Sequence, residues 1–443
     1  MSSQKKIIND PIHGYMEFDD LVIKFIDTPQ FQRLKEIKQL GSAYFVYPGA
    51  SHNRFEHSLG TAYLAQKFTK ILQQKGAGNS HYAERDLKCV TLAALCHDLG
   101  HGPFSHVFDQ LVVPKLIPDT KWKHENGSIM MLEDILIELR KTEGDSLKLN
   151  ENEENLIKAL ILGKYKSESA GIEIGNMPKY LFDIVNNEDN SVDVDKFDYL
   201  NRDCYNLGMK SLFDSSRLMQ FSCVIDDSIA YYHKECFSIY EMFHTRYSMH
   251  KKVYNHRVSR AINYMIADAL VKADPYFKIK DAIINKNAKE YIKLNDSILS
   301  TIEHSDCEDL KASRDIIKRI KQRDLYRFVS ECSIPKEHKE LVTKKKLDDH
   351  FAEDSSLSTE IIDDLVIERL GLDYGKGGSN PVEKVIFYDK KERTAKPYTI
   401  PRKELSYLVP QEFEDIVLSV FVRTDNEVVT SHILSMPSRI YID

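Results

Sequence analysis

The sequence lacks the features that would place it outside the cell or in a membrane. Its seven cysteines stand singly at positions 89, 96, 204, 223, 236, 307 and 332, so they form neither a CxxC pair nor a secreted disulfide framework. No apolar run approaches the ~18 residues that a bilayer span requires, and the opening residues have no apolar signal core. The net charge of -7 argues against a surface coated by nucleic acid. We therefore expect an intracellular protein, cytoplasmic or nuclear or both, that has no membrane partner.

Glycine and proline are absent from residues 238–273, and this absence predicts one long helix there. Residues 20–140 and 190–340 predict successive helices with short connections. Between them, the polar and acidic residues 141–155 predict a linker that covers little of the core.

The composition changes after residue 346. Segments 384–388 and 416–422 are rich in β-branched and aromatic side chains and are separated by prolines, which predicts strands. The fold class that we expect is therefore mainly α, with a helical core over residues 1–340 and a smaller α+β lobe over residues 341–443.

Residues 96–106 read CHDLGHGPFSH and bring three histidines and one aspartate together. Adjacent His97 and Asp98 offer nitrogen and oxygen to one divalent ion, a mixture that suits Fe, Mn, Zn or Mg better than thiolate-preferring metals. His57 and Asp195 are further candidate ligands. A single buried histidine is more often a hydrogen-bonded core residue than a ligand, but the four residues together predict a metal-centred hydrolytic site.

Helical periodicity tests whether these residues can converge. A helix over residues 54–73 puts His57 on the apolar stripe of Thr61, Leu64 and Phe68. A helix over residues 84–99 puts His97 inward at its end, with Gly100 as the residue that ends it. Three further polar side chains recur every fourth residue and share one helical face: Asp195, Tyr199 and Asp203.

Hydrolysis of a phosphate also needs cations on the phosphoryl oxygens. Arg54 precedes His57 by three residues, and Lys196 follows a presumed ligand directly. A solvated surface charge is the simpler interpretation of either residue, but their positions favour phosphate contact for both. Arg246 precedes His250 and Tyr254 by four and eight residues, so all three share one helical face.

Six motifs carry a resemblance to a known family: NDPIHG at 9–14, IDTPQFQRL at 26–34, PGASHNRFEHS at 48–58, CHDLGHGPFSH at 96–106, DVDK at 193–196 and YEMFHTR at 240–246. Together they resemble the vertebrate sterile-alpha-motif and HD-domain deoxynucleoside triphosphate (dNTP) triphosphohydrolases, from about residue 5 to about residue 420. Because the resemblance begins at the HD region, we expect a chain without the sterile-alpha-motif domain.

The resemblance implies an HD-domain helical fold and release of a deoxynucleoside and inorganic triphosphate from dNTPs. It implies an iron-like ion, or Zn or Mn, on His57, His97, Asp98 and Asp195, with Mg²⁺ on the triphosphate. It implies catalytic roles around the α-phosphate for His101, His106 and His124. The implied substrate-binding residues are Gln39, Leu40, Arg54, Lys196, Tyr199, Asp203, Arg246, His250, Tyr254 and Asn255. Tyr254 would exclude a ribose 2′-hydroxyl sterically.

The resemblance also implies a homotetramer activated by GTP and dNTPs, and a role in antiviral defence and innate immunity. The implied activator-binding residues are Lys6, Ile7, Asn9, Asp27, Gln32, Lys35, Val46, Tyr47, Arg217, Lys234, His256, Arg257, Arg323 and Arg327. Lys35 replaces the arginine of the family, and lysine cannot reproduce the bidentate fork that arginine offers to guanine. Three further positions differ from the family: Tyr232 replaces an arginine, Ser238 an asparagine and Ser379 a lysine.

Two other functions remain open from the sequence. An HD phosphohydrolase of another nucleotide would use the same metal ligands without needing Lys196 and Arg246. A catalytically silent HD scaffold could instead bind single-stranded nucleic acid through four basic residues: Lys251, Lys252, Arg257 and Arg260.

Overall fold

The structure is a computed structural model that describes residues 5–165, 177–339, 342, 359–389 and 397–424. The helices of the first part are α1 (Asp20–Ile26), α2 (Pro29–Gln32), α3 (Arg54–Gln74), α4 (Ala83–Cys96), α5 (Val113–Leu116), α6 (His124–Glu143) and α7 (Glu151–Leu162). The later helices are α8 (Tyr180–Val185), α9 (Val194–Asn206), α10 (Ser215–Gln220), α11 (Cys236–Met249), α12 (Arg257–Phe277), α13 (Ile279–Ile284), α14 (Ala288–Tyr291), α15 (Ile298–Glu303), α16 (Lys311–Gln322), α17 (Thr359–Asp364) and α18 (Arg402–Leu405). The strands are β1 (Lys6–Asp10), β2 (Gly14–Phe18), β3 (Ser222–Ile225), β4 (Ser228–Tyr232), β5 (Arg327–Ile334), β6 (Leu365–Asp373), β7 (Ile386–Tyr388) and β8 (Glu414–Val422). The fold is mainly helical with small sheets, as predicted.

Helices α3, α4 and α9 form the centre of the helical core, where α3 packs against both of the others. Asn53 and Glu56 form a capping box that fixes the first turn of α3. The predicted stripe is confirmed, since His57, Thr61, Leu64 and Phe68 are all buried along α3. All seven cysteines are free.

The chain from residue 6 to residue 18 forms an antiparallel hairpin of β1 and β2, with Lys6 opposite Phe18. This hairpin is not predicted by any pattern described above. Its two strands are joined by a turn at residues 11–13, and Gly14 adopts a positive φ of 70° that favours glycine.

The prediction of one helix over residues 238–273 is wrong, because the helix is interrupted between α11 and α12. A single π-helical turn, His250–Tyr254, follows α11. His256 then adopts an extended backbone, and its side chain accepts from the N–H of Val258 and caps α12. As a result of this interruption, His250 and Tyr254 line the cavity described below.

The prediction of a polar linker over residues 141–155 is also wrong. Helix α6 continues to Glu143, and an Asn150–Glu153 capping box starts α7. Glu153 and Glu154 are buried because they pair with Lys88 and Arg140. Acidic residues at a helix N-terminus are also favoured by the helix dipole, so acidity there does not indicate a loop.

Strands occur late in the chain, as predicted. β8 lies between β5 and β6 in an antiparallel sheet, and β7 pairs in parallel with β4. Because β5 precedes residue 340 while β6 and β8 follow it, the sheet joins the two predicted parts, and the boundary at 340 stays a prediction. In the described part of the chain, no helix has the length and apolarity to span a membrane.

Candidate metal centre and active-site cavity

Three parts of the chain bring the four predicted metal ligands together: α3 carries His57, His97 and Asp98 directly follow the last residue of α4, and α9 carries Asp195. The Nε2 atom of His57 lies 3.4 Å from Oδ2 of Asp98 and 3.1 Å from Oδ1 of Asp195. The Nε2 atom of His97 lies 3.4 Å from Oδ1 of Asp98 and 3.5 Å from Oδ1 of Asp195. His57, His97 and Asp195 therefore offer ligand atoms that all lie within 4.8 Å of one another, and Asp98 lies 3.4 Å from both histidine nitrogens.

Both imidazoles are oriented for metal binding. Nδ1 of His57 donates to Asp198 at 2.8 Å, and Nδ1 of His97 donates to the carbonyl of Ala94 at 2.7 Å. When an ion is bound, each ring would keep its proton on Nδ1 and offer the lone pair of Nε2 to the ion. Each buried Nε2 lies 3.1–3.5 Å from carboxylate oxygens of Asp98 and Asp195, but it makes no well-aligned hydrogen bond among the described residues. This donor set, two imidazole nitrogens and two carboxylates, fits a divalent ion.

The charge of the site favours a cation. Burial alone would lower the pKa of His57, but Asp195 and Asp198 outweigh burial and raise it to about 10. Burial would raise the pKa of Asp195, but His57 and His97 hold it well below its usual range. The carboxylates therefore stay ionised, and a positive charge between them would be stabilised.

A second histidine cluster lies beside the metal ligands. The rings of His101 and His124 stack with centroids 4.1 Å apart, and His106 lies 4.9 Å from His101. Asp109 faces Nδ1 of His124 at 3.3 Å and Nδ1 of His106 at 3.5 Å. Burial lowers the pKa of His124, but Asp109 outweighs burial and raises it. Burial and then Arg54 hold the pKa of His101 well below its usual range, so this ring is neutral.

Gly100 acts differently from the prediction that it ends α4. Helix α4 ends at Cys96, and Gly100 is not among the residues with positive φ. A Cβ at Gly100 would lie 2.0 Å from the carbonyl oxygen of His124 and 2.1 Å from the nitrogen of Ser128. Glycine is therefore required because the start of α6 packs directly on this loop, which places His124 beside the metal ligands.

Two residues that the sequence analysis missed hold the backbone of this loop. The buried guanidinium of Arg33 donates to the carbonyls of Leu99 at 3.2 Å and His101 at 2.8 Å. The Asp296 carboxylate accepts from the backbone N–H of Phe104 at 2.6 Å and of Lys38 at 2.9 Å. Phe104 has a positive φ of 61°, so these contacts hold a conformation that the loop would otherwise avoid.

A cavity of about 490 Å³ opens over both clusters. His57 lies beneath it, and every other predicted catalytic, metal and substrate residue lines it: His97, Asp98, Asp195, His101, His106, His124, Gln39, Leu40, Arg54, Lys196, Tyr199, Asp203, Arg246, His250, Tyr254 and Asn255. Polar lining residues that the sequence analysis missed include Gln110, Glu125, Asp193 and Asn263.

Each cation predicted to contact phosphate has a partner within the protein. Lys196 donates to both oxygens of Asp193 at 3.1 Å, and Arg246 donates to the carbonyl of Asp373 at 2.9 Å. Arg54 uses all three of its nitrogens on protein atoms, with Asp98 nearest at 2.6 Å. Lys196 and Arg246 retain free donor capacity toward the cavity, whereas Arg54 principally holds a metal ligand in place.

Other residues that line the cavity are neutral or acidic. Asp203 accepts from the Tyr254 hydroxyl at 2.6 Å, and its other oxygen lies 2.7 Å from Nε2 of His52. His52 is a further residue that the sequence analysis missed. Burial, with Arg246 nearby, lowers the pKa of His250 to about 3, so this ring is neutral. The buried Oε1 of Gln39 has no hydrogen-bond partner in the described parts of the chain, which suits contact with a ligand donor.

The predicted activator residues lie away from this cavity. Lys6, Ile7 and Asn9 lie on β1, where Ile7 is exposed. Lys35 donates to Oε1 of Gln32 at 2.7 Å, close to Asp27 in sequence. The remaining residues lie on other elements of the chain: Val46, Tyr47, Arg217, Lys234, His256, Arg257, Arg323 and Arg327.

A second set of these residues meets around residues 45–47. The Tyr47 and His256 rings lie 5.7 Å apart, and Arg323 donates to the carbonyl of Phe45 at 3.1 Å. Arg217 instead pairs with Glu235 at 2.7 Å.

The basic residues considered for nucleic-acid binding do not form one unpaired surface. Arg260 is held against Glu368, and Lys251 pairs with Asp415 at 3.3 Å. Lys252 and Arg257 are exposed.

Two family models and several known proteins match this chain. The HD domain family model matches residues 54–200, and the HD associated region model matches residues 213–368. The chain is 42% identical over 433 residues to the deoxynucleoside triphosphate triphosphohydrolase SAMHD1 homolog of Dictyostelium discoideum, which covers 96% of this chain and 79% of that protein. It is 39% identical over 453 residues to the deoxynucleoside triphosphate triphosphohydrolase SAMHD1 of Bos taurus, with 95% and 76% covered, and 38% identical over 451 residues to that of Homo sapiens, with 94% and 70% covered. The chain therefore belongs to the SAMHD1 family of HD-domain deoxynucleoside triphosphate triphosphohydrolases.

Proposed function

We propose that this protein hydrolyses dNTPs to a deoxynucleoside and inorganic triphosphate. The observation that carries the proposal is that one cavity is lined by a metal-ligand set, a histidine cluster with its own aspartate, two cations with free donors and a paired Asp203–Tyr254. The names of relatives that are 38% to 42% identical to the chain support the same reaction.

We assign an iron-like divalent ion to His57, His97, Asp98 and Asp195, with Zn or Mn as the alternatives, and Mg²⁺ to the triphosphate. An ion held there supplies Lewis acidity, which polarises a phosphoryl oxygen and lowers the pKa of water. The protein orients the ligands: Arg54 holds Asp98, while Asp198 and the carbonyl of Ala94 fix the two imidazoles.

His124, His106 and His101 act around the α-phosphate in this proposal. Asp109 faces Nδ1 of both His124 and His106, which leaves Nε2 of each ring to face the substrate. His124 is the central catalytic group, and Asp109 supports its protonated form. His106 is half exposed at the cavity, so it can take a proton from solvent and give it to the departing 5′-oxygen. His101 stays neutral and packs against His124.

Lys196 and Arg246 bind the phosphates, supported by Tyr199. Gln39, Leu40 and Asp203 bracket the sugar and its 3′-hydroxyl, and Tyr254 occupies the volume that a 2′-hydroxyl would need. A ribonucleotide is rejected because its 2′-hydroxyl would be buried against a fixed ring without a hydrogen-bond partner. His250 and Asn255 complete this side of the cavity.

We further propose that GTP and dNTPs bind between subunits and promote a homotetramer. The activator residues named above lie outside the active-site cavity, and several are exposed on β1 and near residue 35. A ligand that binds only the assembled state must favour assembly by mass action.

A hydrolysis assay tests the reaction. Purified protein is incubated with each dNTP, or with dAMP, in the presence and absence of GTP, and the products are separated by chromatography. We expect equal amounts of deoxynucleoside and triphosphate from dNTPs, with none from His57→Ala. Release of phosphate from dAMP without triphosphate from any dNTP would assign the site to a monophosphate nucleotidase instead.

A further inference from the structure

A buried charged cluster lies beneath the metal ligands, on the side away from the cavity. It joins α3, α9 and the N-terminal hairpin through His57, Asp198, Arg202, His13 and Asp10. Asp198 and His57 are completely buried, and Arg202 is 1% exposed. His57 and Asp198 belong to the metal centre proposed above, whereas Arg202, His13 and Asp10 have no place in it so far.

Asp198 is held from three directions. Its Oδ2 accepts from Nδ1 of His57 at 2.8 Å and from Nε of Arg202 at 2.8 Å. Its Oδ1 accepts from Nε2 of His13 at 2.6 Å and from Nη2 of Arg202 at 2.9 Å. Each oxygen therefore has two donors, and the carboxylate cannot rotate without losing one of them.

The hairpin is attached to this cluster by its turn. Asp10 accepts from the backbone N–H groups of Ile12 and His13, both at 2.9 Å, and its other oxygen accepts from Nη1 of Arg202 at 2.8 Å. The same carboxylate therefore shapes the turn that presents His13 and binds the arginine that holds Asp198.

Helix α3 leaves room for this arrangement. A Cβ at Gly60 would lie 1.9 Å from Oδ1 of Asp198 and 2.5 Å from Nη2 of Arg202. Only glycine at this position, one turn after His57, lets α9 bring its charged pair against α3.

We propose that Asp198 is the positioning carboxylate of the metal centre and that the N-terminal hairpin, through His13, is a working part of that centre. A carboxylate on the far nitrogen of a ligand histidine fixes the ring, keeps the proton on Nδ1 and strengthens Nε2 as a ligand. His13 holds that carboxylate from outside the HD domain, so metal affinity depends on the docking of the hairpin. The inference rests on the metal centre proposed above.

The test measures metal affinity without substrate. Metal-free protein is titrated with Mn²⁺, and free Mn²⁺ is followed by electron paramagnetic resonance. We expect Asp198→Asn to weaken binding by about 10–100-fold, as the loss of a group that orients a metal ligand does, and His13→Ala to weaken it by about 10-fold. His13→Gln places an amide donor near the position of Nε2, so it should restore most of the lost affinity.

Asp268→Asn is the matched control, because it removes a partly buried carboxylate that pairs with the cations Lys115 and Arg423 and contacts no proposed metal ligand. Its Mn²⁺ affinity should equal that of the wild type. If Asp198→Asn does not fold, the pair His13→Ala and His13→Gln decides. Folded variants of both residues that bind Mn²⁺ as tightly as the wild type would overturn the proposal, because the cluster would then only stabilise the fold.

The outcome is separable from the proposed reaction. Tight Mn²⁺ binding by the wild type that is lost in His57→Ala establishes the metal centre, whatever the substrate. Weakened binding in His13→Ala then supports the hairpin's role even if no dNTP is hydrolysed. A wild type that binds no Mn²⁺ refutes the metal centre and this inference together.

Discussion

The hydroxyl of Tyr254 donates a 2.6 Å hydrogen bond to Oδ2 of Asp203. Burial, with Asp203 adjacent, raises the pKa of Tyr254 well above its usual value, so the phenol stays protonated and remains a donor. His52 holds the other oxygen of the same carboxylate at 2.7 Å. The ring of Tyr254 is therefore fixed in the cavity, and a fixed ring can reject a substrate by shape.

Tyr254→Ala should admit ribonucleotides. Removing the ring opens the volume that we assign to a 2′-hydroxyl, so hydrolysis of ATP should rise relative to hydrolysis of dATP by about 10-fold or more, a change of roughly 1.4 kcal/mol. Tyr254→Phe is the control, because it keeps the ring and loses only the hydrogen bond. The ratio of kcat/KM for the two substrates decides, and an unchanged ratio in Tyr254→Ala would show that the ring only packs the core.

Metal content and activity should be lost together when a ligand is removed. His57→Ala, His97→Ala, Asp98→Ala and Asp195→Ala each delete one of the four converging groups, whereas His124→Ala should keep the metal and slow the reaction by about 100-fold or more. His81→Ala, on the surface, is the control. Elemental analysis beside a turnover assay checks this, and normal metal occupancy in Asp195→Ala would remove that residue from the ligand set.

Arg33→Lys should destabilise the fold. The guanidinium reaches the carbonyls of Leu99, His101 and Leu294 at once, which one ammonium cannot do. Carbonyls left buried without donors should lower the free energy of unfolding by about 2–4 kcal/mol. Arg140→Lys, whose side chain is 51% exposed, should change it by less than about 0.5 kcal/mol. Denaturant unfolding compares the two variants, and equal effects would contradict the role of Arg33.

Asp296 should make stability depend on pH. Burial raises its pKa to about 7, although two backbone N–H groups oppose the shift. An unfolded aspartate titrates near 3.9, so the folded protein binds more protons between roughly pH 4 and 7, and this contribution to stability falls as pH rises through that window. The unfolding free energy of the wild type minus that of Asp296→Asn should therefore be larger near pH 5 than near pH 8. A difference that is constant with pH would show that Asp296 does not titrate there.

The sequence predicted what depends on local pattern and missed what depends on distant contacts. The stripe of His57 and Phe68 on α3 follows from a period of 3.6, and the structure confirms it. Arg33 and Asp296 hold the loop at residues 99–104 from far along the chain, and no spacing rule indicates such contacts. The sequence singled out Gly100 for the wrong reason, because the close packing of α6 on Gly100 is a tertiary contact that no local pattern indicates.

The last prediction concerns regulation. The amide nitrogen of Gln32 donates to the carbonyl of Ile26, and its amide oxygen accepts from Lys35, both at 2.7 Å. The contact with Lys35 occupies one of the two acceptor positions on the Gln32 oxygen, so a guanine nucleotide would share or replace it. Because lysine lacks a bidentate fork, we expect GTP to bind between subunits with reduced selectivity among purines, and Lys35→Arg to strengthen the dependence of activity on GTP.

Light scattering and turnover measured during one titration with GTP and dNTP test this prediction. The tetramer fraction and the activity should rise together, because nucleotides that bind only the assembled state shift the equilibrium toward it. The family has an arginine, an asparagine and a lysine where this chain has Tyr232, Ser238 and Ser379, so polar contacts to an activating dNTP are lost. Assembly should therefore need a high dNTP concentration or depend little on dNTP. A nucleotide-free tetramer with full activity would show that the switch is absent, and an unaltered GTP response in Lys35→Arg would show that GTP does not contact this position.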